Sequence, residues 1–310
     1  MLSVRKLSIT FMMYAAGLRQ REFTPVTDLD LDVAAGQVVA VVGESGSGKS
    51  LLAHAVLGIL PRNARVQGEM YFQGEPLTPA RQAALRGRQI ALIPQSVAFL
   101  DPLMRVGRQV RRAAELSGLK DGRAETARRD IFRRYHLPEA AAALFPFQVS
   151  GGMARRVLIS AAVITEHVPL IIADEPTPGL RPEVVAEMLG HLRQLTEEGR
   201  AVLLITHDIG AALKVADWVA VFYAGTTVEM APASDFAGRG EALRHPYTQA
   251  LWRALPQNEF VPIPGAQPSP DALPEGCLFA ERCWLATSEC YAARPSLRPV
   301  RGGWVRCLYA

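Results

Sequence analysis

The chain has 310 residues, 49% hydrophobic and 21% charged, the composition of an ordinary globular protein with room for about two folding units. Overall disorder and a disulfide-knotted miniprotein are excluded. Lys and Arg exceed Asp and Glu by 34 − 30 = 4, too small and scattered an excess for a dedicated nucleic-acid binder but compatible with an anionic membrane surface.

Met1 to Leu7 alternates apolar and polar side chains, which predicts a strand and not a secretory leader, and points to a cytosolic protein. Residues 38–42, 90–93, 170–173, 202–205 and 219–223 read as buried strands, with helical stretches such as 182–197 between them. That alternation predicts an α/β fold with a largely parallel sheet. From about Pro102 to Phe147 the strands stop, and Arg/Ala-rich helical sequence broken at Gly118, Gly122 and Pro138 predicts an inserted helical subdomain, about 96–165. No apolar run approaches the ~18 residues of a membrane-spanning helix. After Pro256 a Pro-rich linker with Pro262, Pro264, Pro268, Pro270 and Pro274 leads to a tail containing all four cysteines, which gives a division into 1–256 and 257–310.

The strongest motif is Gly43-Glu44-Ser45-Gly46-Ser47-Gly48-Lys49-Ser50, which satisfies G-x-x-x-x-G-K-[ST] between an apolar strand and a helical run that starts at Leu51. Glycines let backbone N–H groups curl around phosphates, Lys49 reaches the β- and γ-phosphates, and the Ser50 hydroxyl can ligate Mg²⁺. Residues 170–175 form an apolar strand ending in Asp174 and Glu175. Alone such a pair is more often a solvated turn; downstream of a phosphate loop, Asp174 can hold Mg²⁺ and Glu175 can orient or deprotonate an attacking water. His207 follows another apolar strand, where ligands gather in open α/β sheets. Ser150-Gly151-Gly152 opens a helix and reads either as a capped turn or as a second phosphate cradle. Two cradles in one chain suit a head-to-tail pair in which each subunit closes over nucleotide held by the other.

Together these residues resemble the nucleotide-binding subunit of ATP-binding cassette (ABC) transporters, from about Leu2 to Pro256. The resemblance implies a P-loop NTPase fold and ATP hydrolysis. By it, Gly43 to Ser50 is the Walker A loop with Leu51 beside it among the nucleotide-binding residues, Gln95 the Q-loop glutamine and third Mg²⁺-side group with Ser50 and Asp174, Ser150 to Met153 the signature, Asp174-Glu175 the Walker B end and His207 the switch histidine. An aromatic residue near the end of the first strand stacks on adenine in this family; Phe11 is chosen, with Tyr14 and Phe23 as alternatives. The signature has Val149 where Leu is common and Met153 where Gln is common. Arg181 stands where the family usually has Asp in a loop across the dimer interface, so the two composite sites of a heterodimer are expected to be unequal.

The segment from Arg244 to Pro256, an amphipathic helix started by Pro246, looks like the tail of oligopeptide, dipeptide and nickel importer ATPases, as do Leu100-Asp101-Pro102 and Val106-Gly107. The expected assembly is a second ABC ATPase, two membrane permease subunits and an external substrate-binding protein, with this chain peripheral on the cytoplasmic membrane face. Its cargo is small peptides or nickel and metal chelates. The rivals are a soluble ABC ATPase working on nucleic acid or ribosomes, whose second cassette or basic arm is not visible, and a catalytically reduced subunit, favoured only by Arg181. The tail pattern Cys277-x5-Cys283-x6-Cys290-x16-Cys307 has no C-x2-C; its thiolates can hold zinc or an iron–sulfur cluster, or remain free or disulfide-bonded, and spacing does not separate these. Resemblance to dipeptide-importer ATPases favours a structural [4Fe–4S] cluster, with Zn²⁺ as the alternative.

Overall fold

The computed structural model describes residues 1–14, 20–164 and 168–310. The chain divides into a unit made of Met1–Val33, Val39–Leu77 and His207–Ala310 and a second made of Ala34–Val38 and Thr78–Thr206. In chain order the elements are β1 (Leu2–Tyr14), β2 (Gln20–Val33), β3 (Val38–Gly43), α1 (Lys49–Leu57), β4 (Ala64–Phe72) and β5 (Glu75–Pro76). Then come α2 (Pro79–Leu85), β6 (Ile90–Ile93), α3 (Val106–Leu116), α4 (Asp121–Arg134), α5 (Gly151–Val163), β7 (Leu170–Asp174), α6 (Pro182–Glu197) and β8 (Ala201–Ile205). The last are α7 (Ile209–Leu213), β9 (Trp218–Tyr223), β10 (Thr226–Pro232), α8 (Pro246–Arg253), α9 (Ser288–Ala292), β11 (Arg298–Val300) and β12 (Gly303–Val305).

The first unit holds two strand systems. β2, β1, β4 and β5 form an antiparallel sheet in that order, and β1 buries Leu2, Val4, Leu7 and Ile9 while Arg5 and Lys6 stay exposed. The alternation breaks at Lys6, whose φ of 47° coincides with a register shift that keeps Leu7 on the buried face. The other system runs β11, β12, β10, β9, β3; only β9 and β3 are parallel. Hydroxyls of Thr226 and Thr227 on β10 donate to the Asp28 and Asp30 carbonyls of β2, and Arg306 reaches the Asp28 carbonyl and the Asp30 carboxylate, tying the two systems together.

In the second unit β6, β7 and β8 are parallel, and their apolar residues lie almost wholly inside, as continuous hydrophobic runs require. Each of the five strands read from the sequence is present within a residue or so, and α6 has the expected bounds. Among the described residues no strand lies between β6 and β7; α3 packs on α4 and α5 there, and Thr165, the expected end of this stretch, lies outside the described residues. The largely parallel sheet holds for β6–β8 and for β3 with β9. Elsewhere pairing is antiparallel, in β2–β1–β4–β5 and in β9–β10–β12–β11.

One buried polar knot locks β10 to the segment before α8. Glu229 is fully buried, and its carboxylate accepts the backbone N–H groups of Arg244 and His245 at 2.8 Å each and the Arg244 guanidinium at 3.2 Å. That guanidinium also donates to Asp235 and to the carbonyls of Val300 and Arg301. Burial pushes the Glu229 carboxyl above its usual range, against the pull of these donors. His245 accepts the Tyr247 N–H on Nδ1, capping α8, and burial lowers its pKa to about 3; in the second unit burial lowers that of His191, 2.6 Å from the Tyr135 hydroxyl, to about 4.

Glu229→Ala leaves two buried N–H groups without an acceptor and takes one of its two carboxylates from the Arg244 guanidinium, so a loss of about 3–5 kcal/mol is expected, read as a lower urea midpoint. The two neutral histidines make the unfolded chain bind more protons than the folded one below the ordinary histidine value of 6.5. Stability should therefore fall with pH from 6.5 to about 4 for His191 and to about 3 for His245, by at most about 1.4 kcal/mol per pH unit per histidine. Midpoints measured across that range check the sign.

Candidate functional site

In the first unit the fully buried β3 delivers the chain into the loop from Gly43 to Ser50, and α1 begins at Lys49. A Cβ at Gly43 would lie 2.2 Å from the Phe222 carbonyl oxygen of β9, so only glycine lets the loop leave the sheet there. Gly48, at φ 88°, caps α1 and lies against β2, where a Cβ would meet the Val26 side chain at 2.8 Å. Lys49 is buried, and its ammonium donates to the carbonyls of Gly43 and Glu44 at 2.9 Å each, with the buried Ser47 Oγ at 3.5 Å. The lysine thus closes the loop on itself. Ser45 and Gly46 are exposed at the tip.

Glu44 is held from two further directions. Its N–H donates to the Tyr247 hydroxyl at 3.3 Å, and its carboxylate accepts from Arg282 Nη1 at 3.3 Å. Tyr247 belongs to α8 and Arg282 to the cysteine tail, so both segments reach the loop from Gly43 to Ser50. Phe11 is half-buried on β1, opposite Phe23 of β2 and Ala64 of β4; Phe23 is half-buried as well, and Tyr14 at the strand end is exposed. His207 is exposed, and the next residue, Asp208, caps α7 by accepting the Ala211 N–H at 2.9 Å.

The second unit brings three of the expected elements together. Ser150 caps α5, its Oγ accepting the Met153 N–H at 3.3 Å, and Ser150 and Gly151 are exposed at the helix start while Gly152 is half-buried. From the same helix Arg155 donates Nη1 to the Glu175 carbonyl at 2.9 Å and Nη2 to the Gln95 carbonyl at 2.6 Å. Asp174 ends β7 in the interior, and Glu175 is 7% exposed with a φ of 45°, a left-handed conformation that L-residues rarely adopt. Its N–H donates to the Ile205 carbonyl at 2.8 Å. The strained peptide is therefore gripped on both sides, by β8 and by Arg155. Burial lowers the Arg155 pKa while the Glu175 charge raises it. Arg156 donates to the Tyr135 and His136 carbonyls, fixing α5 to the end of α4, and its pKa is lowered by burial and by Arg181, the residue before α6.

The four cysteines are unbonded to one another and line a single small cavity with Phe279 and Leu308. Cys283 and Cys307 each accept, on sulfur, the N–H two residues ahead, from Leu285 and Tyr309 at 3.4 Å. Burial raises the thiol pKa of Cys277 to about 11 and those of Cys283 and Cys307 above the usual range, with each sulfur repelled by others of the set. Among the described residues no group of three or more His, Cys, Asp or Glu side chains is arranged to hold a metal ion, so the expected cluster site is a convergent thiol set and not a formed ligand shell. A separate cavity of about 490 Å³, lined by Arg5, Asp32, Trp304 and Arg306 among others, contains none of the motif residues. Sequence reading missed Arg155, Tyr247 and Arg282, whose partners lie 20 to 238 positions away. Nothing in the local sequence marks Arg155 or Arg282, and the Arg244 to Pro256 segment around Tyr247 does not disclose its contact with Glu44.

The ABC transporter family profile matches residues 26–178, and the profile for the oligopeptide/dipeptide transporter C-terminal region matches 228–290. The oligopeptide transport ATP-binding protein OppD of Mycobacterium bovis is 36% identical over 315 residues, 97% of this chain, and the chain spans only 50% of that relative's length. The dipeptide transport ATP-binding protein DppD of Escherichia coli is 36% identical over 318 residues, 98% of this chain and 94% of its own. Among solved structures, an ATP-binding subunit of an ABC transporter aligns with TM-score 0.63 and 28% identity over 76% of this chain and 91% of its own. A dimeric ATP-binding cassette in a post-hydrolysis state with ADP and Pi aligns with TM-score 0.67 over 75% of this chain and 99% of its own, at 22% identity a likeness of fold. Two family profiles and a relative matched over nearly its full length lead to one assignment: this chain belongs to the ABC transporter family, in the oligopeptide/dipeptide branch of its ATP-binding proteins.

Proposed function

We propose that the chain is the ATP-hydrolysing subunit of an importer for small peptides. The observation that carries this is the loop between β3 and α1, already curled around the Lys49 ammonium. In this reading Gly43, Glu44, Ser45, Gly46, Ser47, Gly48, Lys49, Ser50 and Leu51 bind the phosphates, and Phe11 stacks on adenine. Ser150, Gly151 and Gly152 close over nucleotide held by a second ABC ATPase. Ser50, Gln95 and Asp174 hold Mg²⁺, which when bound offsets phosphate charge. Glu175 orients or deprotonates the attacking water and His207 contacts the γ-phosphate. Residues 1–256 form the cassette, with 96–165 its helical part, and 257–310 the linker and tail.

Docking of two permease subunits near Gln95 is supported by the exposed apolar side chains of Val97, Phe99 and Leu103 just after it. No helix among the described residues is long and apolar enough to cross a membrane. In this reading the chain sits peripherally at the cytoplasmic face and an external binding protein selects cargo. The names of the relatives favour peptides over nickel or metal chelates. Arg181 beside Arg156 supports unequal composite sites. For the tail, four soft donors around one cavity, with N–H groups directed at sulfur, support a [4Fe–4S] cluster, with zinc as the alternative; either would cross-link the tail. Thiolates are the ligating form, so loading releases protons and strengthens as pH rises.

Glu175→Gln is expected to lower ATP turnover by about 100-fold or more with nucleotide binding retained. Unchanged turnover removes Glu175 from the chemistry. Arg155→Ala, which releases both the Glu175 and Gln95 carbonyls, is expected to cut turnover about tenfold with nucleotide affinity little changed, and Arg155→Lys to recover part of it. Anaerobic pull-down of the tagged chain should recover a second ATPase and two membrane proteins, and elemental assay should find iron with sulfide, lost in Cys277→Ser. A chain without partners overturns the importer reading; one without metal overturns the cluster.

A further inference from the structure

The cysteine tail does more in this fold than end the chain. Arg282 immediately precedes Cys283, and its side chain is 7% exposed. Nε donates to the Pro264 carbonyl of the linker at 2.8 Å, and Nη1 donates to the Tyr223 hydroxyl at 3.1 Å and to the Glu44 carboxylate at 3.3 Å. The guanidinium lies over the rings of Tyr223 and Phe279, 5.6 and 5.7 Å from their centroids. Tyr223, Tyr247 and Phe279 pack on one another, and Tyr247 also accepts the Glu44 N–H. A buried cation fixed by the linker, two rings and a phenol is therefore aimed at the second residue of the phosphate loop, whose own carbonyl receives the Lys49 ammonium.

We infer that Arg282 is a positioning residue for nucleotide binding: through Glu44 it holds the loop in the curled form that accepts phosphates, so the tail sets nucleotide affinity. The inference rests on the reading of residues 43–51 as the nucleotide loop. It gives the tail a role at the nucleotide site whatever its cysteines carry. Linkage then requires the reverse effect, with bound nucleotide holding the tail closed.

The test measures MgADP affinity by calorimetry on the full chain for wild type, Arg282→Ala, Arg282→Lys, Glu44→Gln and the Arg282→Ala/Glu44→Gln double variant. Glu44→Gln breaks the pair from the loop side and leaves the tail sequence intact, so a weakened tail fold cannot account for its effect. Each neutralising variant should weaken MgADP about fivefold, the double variant no more than either single one, and Arg282→Lys should recover part of the loss. Amide exchange across residues 277–283 should slow with MgADP in wild type and not in Glu44→Gln. Wild-type affinity retained in both single variants, or additive losses in the double one, overturns the inference and leaves the nucleotide reading standing. No MgADP binding by wild type overturns both.

Discussion

A buried ammonium organises the first unit. Lys49 has left water for the Gly43 and Glu44 carbonyls and the Ser47 hydroxyl, and a buried cation is tolerated only where its acceptors are held in place. Much of the surrounding chain does that holding. β9 presses on Gly43 so closely that a side chain has no room, β2 presses on Gly48, and Tyr247 and Arg282 take the N–H and the carboxylate of Glu44. Those four supports come from both sides of the loop in sequence, from Val26 to Arg282. A loop rich in glycine, costly in conformational entropy to order, is in this way held by contacts from the rest of its unit.

The second unit solves a different problem. Glu175 combines an interior carboxyl with a left-handed backbone, and such strain persists only where neighbours over-determine it. Ile205 and Arg155 supply that constraint, and Arg155 extends it to Gln95. One planar guanidinium with two forked donors spans two carbonyls that a lysine ammonium, with a single donor atom, would have to share. Any displacement of α5 is thereby transmitted to both peptides at once. The signature turn, where a partner's nucleotide is proposed to bind, begins that same helix.

How much of this the sequence discloses follows from the range of the forces. Residues 38–42, 90–93 and 170–173 are apolar on both faces, so their burial and strand state are written locally, and the spacing of glycines, Lys49 and Ser50 is itself the loop geometry. β2 and β4 are polar and alternating, and their pairing depends on β1, so they escaped notice. Arg155 and Arg282 look like any exposed arginine until the carbonyls and rings around them are assembled. The thiol set shows the opposite limit: spacing brings Cys277, Cys283, Cys290 and Cys307 to mind as ligands, but only the fold places them on one cavity, without closing them into a shell.

The Arg244 to Pro256 segment, which carries the resemblance to the peptide-importer branch, is explained by the same reasoning. Arg244 and His245 give their backbone N–H groups to Glu229, and burial keeps His245 neutral, so that its Nδ1 can accept from Tyr247 at the start of α8. Starting α8 there aims the Tyr247 hydroxyl at Glu44. Gly303 of β12 leaves space for the Arg244 guanidinium, where a Cβ would come within 2.7 Å, so the tail's last strand packs against the same knot. The segment therefore has a structural rationale that requires no contact with cargo or membrane: it converts one buried carboxylate on β10 into the positions of α8, the tail and one side of the phosphate loop.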